Sequence, residues 1–582
     1  MADGQGPTTT CARRPWLATL AIAAIFTVGL VLRIHGVSFG LPALNDPDEL
    51  IFELGSLRML RTLSLNPGWF GHPGTTTMEI LAAANLGVLG FGRAMGWFAD
   101  SKDFANAVYA NPAWIILPGR LAMVAFGAGT VWQTFRLGEE LAEDKDEAAF
   151  ARLAALAAAA LVAIEPASMT WSQVIRTDIM ATFFMLLSLR AALRAMRQER
   201  LKDHIVAGLW LGLAIATKWP TGIAAIALGG AAAMRLITGT SRPRQIGLHL
   251  AAGAAATVAG LLAVSPYIAL DFNTVVHNLQ GEAQTHHLGA TGGSPLHNLG
   301  WYATGPILTG LGFVGCALAV IGVAWLLRHR AGAVLLPLIA AFIATICSQA
   351  LVWERWILPM VPLLALAMGL GWAQIMDRLS RACGQQQRLL TRSAGFALLG
   401  AALIQPAMAS WSRKVERQHD ARQLATAWAA AHIPAGSTVL VEHFAFEILP
   451  RPWHLIFPFG DVGCVDVRAY LGGKVQYDTI NAGRGGRSNV DYGTVTPDKR
   501  GSCRADYAIL TQYDRYAAER GTFPQEYAAY RDLVAQGKIV ATFARVPGRI
   551  GGLTTHVVSF GARAAAEGEQ QGDQASAPRR IR

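Results

Sequence analysis

Charge is what this chain has little of. Only 15% of its 582 residues are Asp, Glu, Lys or Arg, against 52% apolar. That is too few charges for a soluble domain of this size and points to a polytopic membrane protein. The six cysteines include no C-x-x-C pair and no metal-type spacing, which argues against a cysteine metal centre. Nor are the basic residues gathered into a stripe. The formal net charge is +11, yet Lys and Arg sit mostly in short loops between apolar runs, as topology signals do, so no nucleic-acid partner is expected. The first apolar run is too long for a signal-peptide core and has no small-residue cleavage site after it, so it is expected to remain as an anchor.

What is abundant is apolar sequence. Tested against the roughly 20 residues a helix needs to cross hydrocarbon, eleven runs read as crossings: 16–35, 112–135, 148–166, 179–197, 204–218, 219–236, 246–266, 305–327, 333–352, 355–376 and 393–411. The loops Arg194–Lys202, Arg235–Arg244, Arg328–Arg330 and Arg378–Arg392, with Arg13 and Arg14, mark the cytoplasmic side. Parity then forbids one early segment from spanning. Thr75–Ala99, which carries Glu79, Asn85, Arg93 and several glycines, reads as re-entrant or interfacial. On this scheme Leu41–Gly74, Thr170–Asp178, Tyr267–Thr304 and everything after residue 411 lie outside the cytoplasm, as in a multi-pass protein of a bacterial-type inner membrane.

The chain divides into a transmembrane catalytic domain (1–411), an extracytoplasmic soluble α/β domain (412–563) and a disordered tail (564–582). The soluble part opens as an amphipathic helix, a Pro-Ala-Gly turn and a strand. Strand-like runs recur at Tyr507–Thr511, Ile539–Phe543 and His556–Phe560, with a helix over Pro524–Gln536. Cys464 and Cys503 are its only cysteines, and an oxidising compartment would favour their pairing.

The first external loop, Leu41–Gly74, packs Asp46, Asp48, Glu49, Glu53 and His72 between apolar segments. Asp46 followed by Pro47 is an N-cap with proline at the first helical position, so capping alone is one reading of these acids. The helix it opens, Pro47–Leu60, has Ile51, Leu54, Leu57 and Leu60 on its apolar side and is expected to lie at the membrane surface.

An acidic pair opening this loop, followed by a His-Pro pair, resembles the GT-C glycosyltransferases that use polyprenyl-phosphate sugars, such as protein O-mannosyltransferases and lipid A aminoarabinose transferases. PDELIFELGSLRML is similar to the family's acidic helix, and GHPGTTTMEILAA to its His-Pro-Pro-Leu segment with Gly74 in place of the second proline. ILPGRLAMVAFGAGTVW resembles an Arg-Leu helix start, and the segment around Arg176 and Asp178 an external Arg-x-Asp. GLAIATKWPTGIAAIAL resembles a Thr-Lys-Gly-Pro segment with Trp219 for Gly, and WERWILPMVPLLALA an Arg-Tyr-x-x-Pro segment with Trp356 for Tyr. The resemblance covers about residues 16–376, and the shared order of the motifs carries it.

The resemblance implies a GT-C fold and an enzyme that moves a hexose or pentose from a polyprenyl-phosphate donor to an acceptor in the cell envelope. Such a reaction needs a base for the acceptor hydroxyl and positive charge for the departing phosphate. Asp48 is the expected base. Glu49 positions either the acceptor or an adjacent helix. Asp178 is expected to hold a divalent metal with Asp48 or to orient the acceptor, the alternative being an ion pair with Arg176; the cofactor stays open. Arg120 and Lys218, at predicted outer helix ends, are read as phosphate ligands or as interfacial anchors. His72, Arg176 and Arg355 complete the expected substrate-binding set. His277, His286, His287 and His297 lie in a glycine-rich loop expected to close over substrate rather than bind zinc. A lipid or solute transporter is the competing function, but intramembrane charges and internal repeats are not found. Sugar and acceptor are not legible.

Overall fold

The computed structural model describes residues 15–144, 147–198, 200–382, 388–472, 490–544 and 554–561. Arg13, Arg14 and the 564–582 tail lie outside the described residues. Among the described residues eight helices are long and apolar enough to cross a membrane: Trp16–Ile34, Ala113–Glu139, Thr177–Gln198, Trp219–Ile237, Pro243–Val264, Pro295–Leu326, Glu354–Arg381 and Leu389–His432. They coincide with eight of the expected crossings. Two shorter apolar helices, Ala148–Ile164 and Gly332–Cys347, and the helix Leu201–Thr217 stand at the other three. The protein is a multi-pass integral membrane protein.

Helices pack closely where small residues line them. The pair Leu201–Thr217 and Pro243–Val264 meets at Gly208, Gly212, Gly253 and Gly260; a Cβ on Gly208 would stand 2.1 Å from the Gly253 carbonyl oxygen. Without a hydrophobic drive between helices in lipid, such backbone approach is what van der Waals contact can use. Thr75–Ala94 is one helix, packed against Asp48–Thr62 and Ala113–Glu139 and not among the eight.

The helix Asp48–Thr62 begins one residue after the Pro47 start expected from the sequence, with Asp46 Oδ1 accepting from the Asp48 N–H at 3.2 Å. Its orientation is not the one the apolar stripe suggests. Glu49, Phe52, Glu53, Ser56 and Met59 are buried, while Ile51, Leu54, Leu57 and Leu60 are half-buried. The surrounding helices offer polar partners to the acidic side: Asn85 Nδ2 donates to Glu53 Oε2 at 2.8 Å and Arg120 pairs with Glu49. A carboxylate so matched is cheaper to bury than one facing lipid.

The helix over the last crossing runs on to Gln418, past residue 411, and Asp420 then caps Ala421–His432. The C-terminal part holds a six-stranded mixed sheet of β1 (Thr438–Val441), β2 (His454–Pro458), β3 (Cys464–Asp466), β4 (Tyr507–Leu510), β5 (Lys538–Phe543) and β6 (Thr555–Ser559), in the order β3-β2-β1-β4-β6-β5. β1 runs parallel to β2 and β4; β3, β5 and β6 are antiparallel to their neighbours. Sequence reading missed β2, which ends on Pro458, and the three-residue β3, which follows Gly463. Cys464 and Cys503 are joined by a disulfide, with Cα atoms 5.0 Å apart.

Candidate active site

The loops expected on one side of the membrane do meet at one end of the helices, and the C-terminal domain sits with them. Leu44 forms a β-bridge with Phe444, and the Asn45 side chain donates to the Asp420 carboxylate and exchanges hydrogen bonds with Gln423. A cavity of about 450 Å³ opens there, lined by Asp48, His72, Asp178, Lys218, Glu282 and Arg355 and walled by Trp69, Trp219, Trp353 and Trp356.

Two chain crossings build its floor. Pro73 bridges Lys218, the Trp219 N–H donates to the His72 carbonyl at 2.7 Å, and the Gly74 N–H donates to Thr217 O. Gly74 has φ 72°, a conformation that a second proline, locked near φ −65°, does not reach. Gly74 therefore takes a backbone conformation that a proline at this position would not allow. Lys218 breaks the helix Leu201–Thr217 in extended conformation, which turns its side chain to Asp178 at the start of Thr177–Gln198. Arg355 opens the 3₁₀ segment Glu354–Met360 and lies over the Trp353 ring at 4.1 Å.

The charges form a chain. Arg176 binds Asp46 (Nη2 to Oδ1, 2.6 Å) and contacts Asp48 through Nη1; Lys218 contacts Asp178 Oδ1; Arg355 Nε stands 4.0 Å from Asp178 Oδ2. Asp48 keeps 41% of its side chain exposed, whereas Asp46 keeps 7%. Burial pushes the Asp48 carboxyl up, but the Arg176 and Arg355 guanidiniums beside it outweigh that and hold it at about 2. Burial, reinforced by Lys218 and Arg355, depresses His72 to about 3, so its ring is neutral near pH 7. Arg355 Nε and Nη1, Asp178 Oδ2 and His72 Nδ1 are buried without a hydrogen-bond partner.

Three expected site residues stand apart from the cavity lining. Glu49 and Arg120, expected as catalytic and phosphate-binding, are wholly buried against each other, and Arg120 Nη1 also donates to the carbonyls of Val37 and Phe39. Arg120 has no donor turned to the cavity because Glu49 and the carbonyls of Val37 and Phe39 engage all three of its nitrogens. Arg176 acts from behind, through Asp46 and Asp48. Of the loop histidines, His287 lines the cavity. Glu282, which faces His72 Nε2 at 3.9 Å, was missed by sequence reading. Only its place on the helix Phe272–Glu282, folded over the site, marks it. The Asp178–Arg176 ion pair considered from sequence does not form; Asp178 turns to Lys218. Among the described residues no group of three or more His, Cys, Asp and Glu stands close enough to hold a metal ion.

The stretch 146–279, which includes Arg176, Asp178 and Lys218, matches the family described as dolichyl-phosphate-mannose-protein mannosyltransferase. The crystal structure of ArnT from Cupriavidus metallidurans bound to undecaprenyl phosphate is 14% identical, with 95% of this chain and 99% of that chain covered at a TM-score of 0.52. Its apo state gives the same TM-score and identity over 94% of this chain and 98% of that chain. The chain has the GT-C glycosyltransferase fold. No curated protein sequence matches it. Within the GT-C fold the cavity described above lies where helix ends, the first external loop and the C-terminal domain converge. Its carboxylates alternate with cations, and its walls are aromatic.

Proposed function

We propose that the protein is a membrane glycosyltransferase that moves a sugar from a polyprenyl-phosphate donor to an acceptor on the extracytoplasmic side of a bacterial-type inner membrane. The observation that carries this reading is Arg355, a buried guanidinium in the cavity whose Nε and Nη1 lack hydrogen-bond partners. A guanidinium with N–H groups to spare can donate to a phosphate oxygen, and its attraction grows as the leaving phosphate gains charge. Lys218 adds a second positive charge on the same wall. That the similar ArnT was crystallised with undecaprenyl phosphate supports the choice of donor.

Asp48 is the general base. It is ionised, half in the cavity, and oriented by Arg176, so one oxygen stays available to an acceptor hydroxyl. Asp178 holds Lys218 and faces Arg355, which makes it an organiser of the phosphate site. His72, neutral and flanked by Trp69, is placed to hydrogen-bond the sugar or the acceptor. Glu49 and Arg120 support the helix that presents Asp48. Both cavity aspartates face cations, Asp48 on Arg176 and Asp178 on Lys218.

The orientation rests on the basic loops and on the Cys464–Cys503 disulfide, which forms in oxidising compartments. We divide the chain into a catalytic membrane domain, 1–411, and an extracytoplasmic domain, 412–563. The test is release of free undecaprenyl phosphate by purified protein from an undecaprenyl-phosphate-linked sugar plus envelope extract. No release from any such donor, together with movement of the lipid across vesicles, would establish the transporter instead.

A further inference from the structure

The C-terminal domain holds the loop that roofs the cavity at Leu288 and Gly289. Leu288, 2% exposed, is inserted into that domain's own core beside Leu440, Leu510 and Tyr516. The next residue, Gly289, donates its N–H to Glu519 Oε1 at 2.7 Å, and Arg515 Nη2 donates to Leu288 O at 3.3 Å. Gly289 has φ 74°, and a Cβ there would stand 2.0 Å from Arg515 Nη2. A side chain at that position is strained by the backbone and obstructed by the arginine.

From this anchor the chain runs straight to the phosphate site. The preceding residue, His287, lines the cavity and packs on Trp353 with ring centroids 4.8 Å apart. The following residues pair with the strand-like segment before Trp353: the Val352 N–H donates to Ala290 O and the Gly292 N–H to Ala350 O, both at 2.8 Å, around the bridge Thr291–Leu351. Trp353 is the ring on which Arg355 rests at 4.1 Å.

We propose that the C-terminal domain positions the donor-phosphate anchor: its grip on Leu288 and Gly289 fixes the pairing of 290–292 with 350–352 and so the placement of Trp353 and Arg355. This rests on the transferase reading above. Leu288 and Arg515 are then positioning residues, since neither lines the cavity.

The test compares Leu288→Ala and Arg515→Ala with wild type, and Leu288→Met as the conservative control. Both alanine variants should raise the KM for the donor about tenfold while kcat and the acceptor KM change less than about twofold, because the anchor is displaced rather than removed. Leu288→Met should restore wild-type values. Amide exchange over 350–356 should be faster in both alanine variants. Arg515→Ala leaves the domain core intact and covers the case in which Leu288→Ala fails to fold. Unchanged donor KM with unchanged exchange would overturn the proposal. If wild type binds undecaprenyl phosphate but transfers nothing, the transferase reading falls. The positioning role is then judged by the Kd for that lipid, expected to weaken about tenfold in the alanine variants; equal Kd would overturn it.

Discussion

Glu49 and Arg120 meet as a bidentate pair, Oε1 to Nε at 2.8 Å and Oε2 to Nη2 at 2.7 Å, with neither side chain exposed. Glu49 Oε1 also accepts from the Ile175 N–H at 3.0 Å, which ties the helix of Asp48 to the segment bearing Arg176 and Asp178. The pair is a joint between three elements of the site. Breaking a buried pair by removing one partner leaves a charge in low dielectric, at about 3–5 kcal/mol. Glu49→Gln should therefore lower thermal stability, and Arg120→Lys, which keeps the charge but loses the two-nitrogen grip on Glu49 and the bonds to the Val37 and Phe39 carbonyls, should lower it less, while the protein that folds keeps its donor KM. A rise in donor KM without loss of stability would return Arg120 to the phosphate site.

Asp48→Asn keeps the shape of the side chain and its contact surface but removes its charge and nearly all its basicity. Arg176 retains Asp46, so the fold should persist. Transfer should fall by roughly 10²–10⁴. Near-normal turnover by a normally folded variant would leave Asp48 as a helix-start residue only.

Arg355→Lys keeps the charge and loses the planar fork. Donor affinity should drop about tenfold, read as donor KM with the acceptor saturating. Lys218→Ala should weaken donor binding too, but it also strands Asp178, so its thermal midpoint should fall as Arg355→Lys does not. A donor KM unchanged from wild type in both variants would move the phosphate elsewhere.

The pH profile follows from Asp48 and His72. Asp48 is held at about 2 and His72 at about 3, so neither gains a proton between roughly pH 5 and 8 and neither should give kcat/KM an acid limb there. Stability behaves differently. The ion-paired Asp48 contributes above its ordinary value of 3.8, and the contribution is lost as pH falls towards about 2. Burying neutral His72 is favourable above 6.5 and increasingly costly as pH falls towards about 3, because the unfolded chain then binds the proton. His72→Gln should flatten the loss of stability between those values, checked by thermal melts at stepped pH.

Placement outside the cytoplasm can be read from thiols. When whole cells are quenched with acid and denatured without reductant, a large maleimide should leave Cys464 and Cys503 unmodified, and reduction should add two adducts in a variant lacking the other cysteines. Two adducts before reduction would place the domain in a reducing compartment.

The helices were legible from the sequence because crossing hydrocarbon imposes length and apolarity on each run by itself. A helix stands at each of the eleven runs, although the last five residues of 333–352 lie beyond the helix Gly332–Cys347. Order along the chain was enough to nominate Asp48, Asp178, Lys218 and Arg355, which line one cavity. It was not enough to divide cations between ligand and scaffold. Arg120 and Lys218 look alike in sequence, each at an outer helix end, and what separates them is which carboxylate lies opposite: Glu49 engages Arg120 at two nitrogens, whereas Lys218 stays on the cavity wall. The buried side of Asp48–Thr62 was misleading for the same reason, since Glu53 and Glu49 are buried by partners some thirty to seventy positions away, Asn85 and Arg120. Periodicity reports the apolar stripe of one helix. Whether a charge faces water, lipid, substrate or another charge is a property of the assembled bundle, and only the tertiary structure decided it.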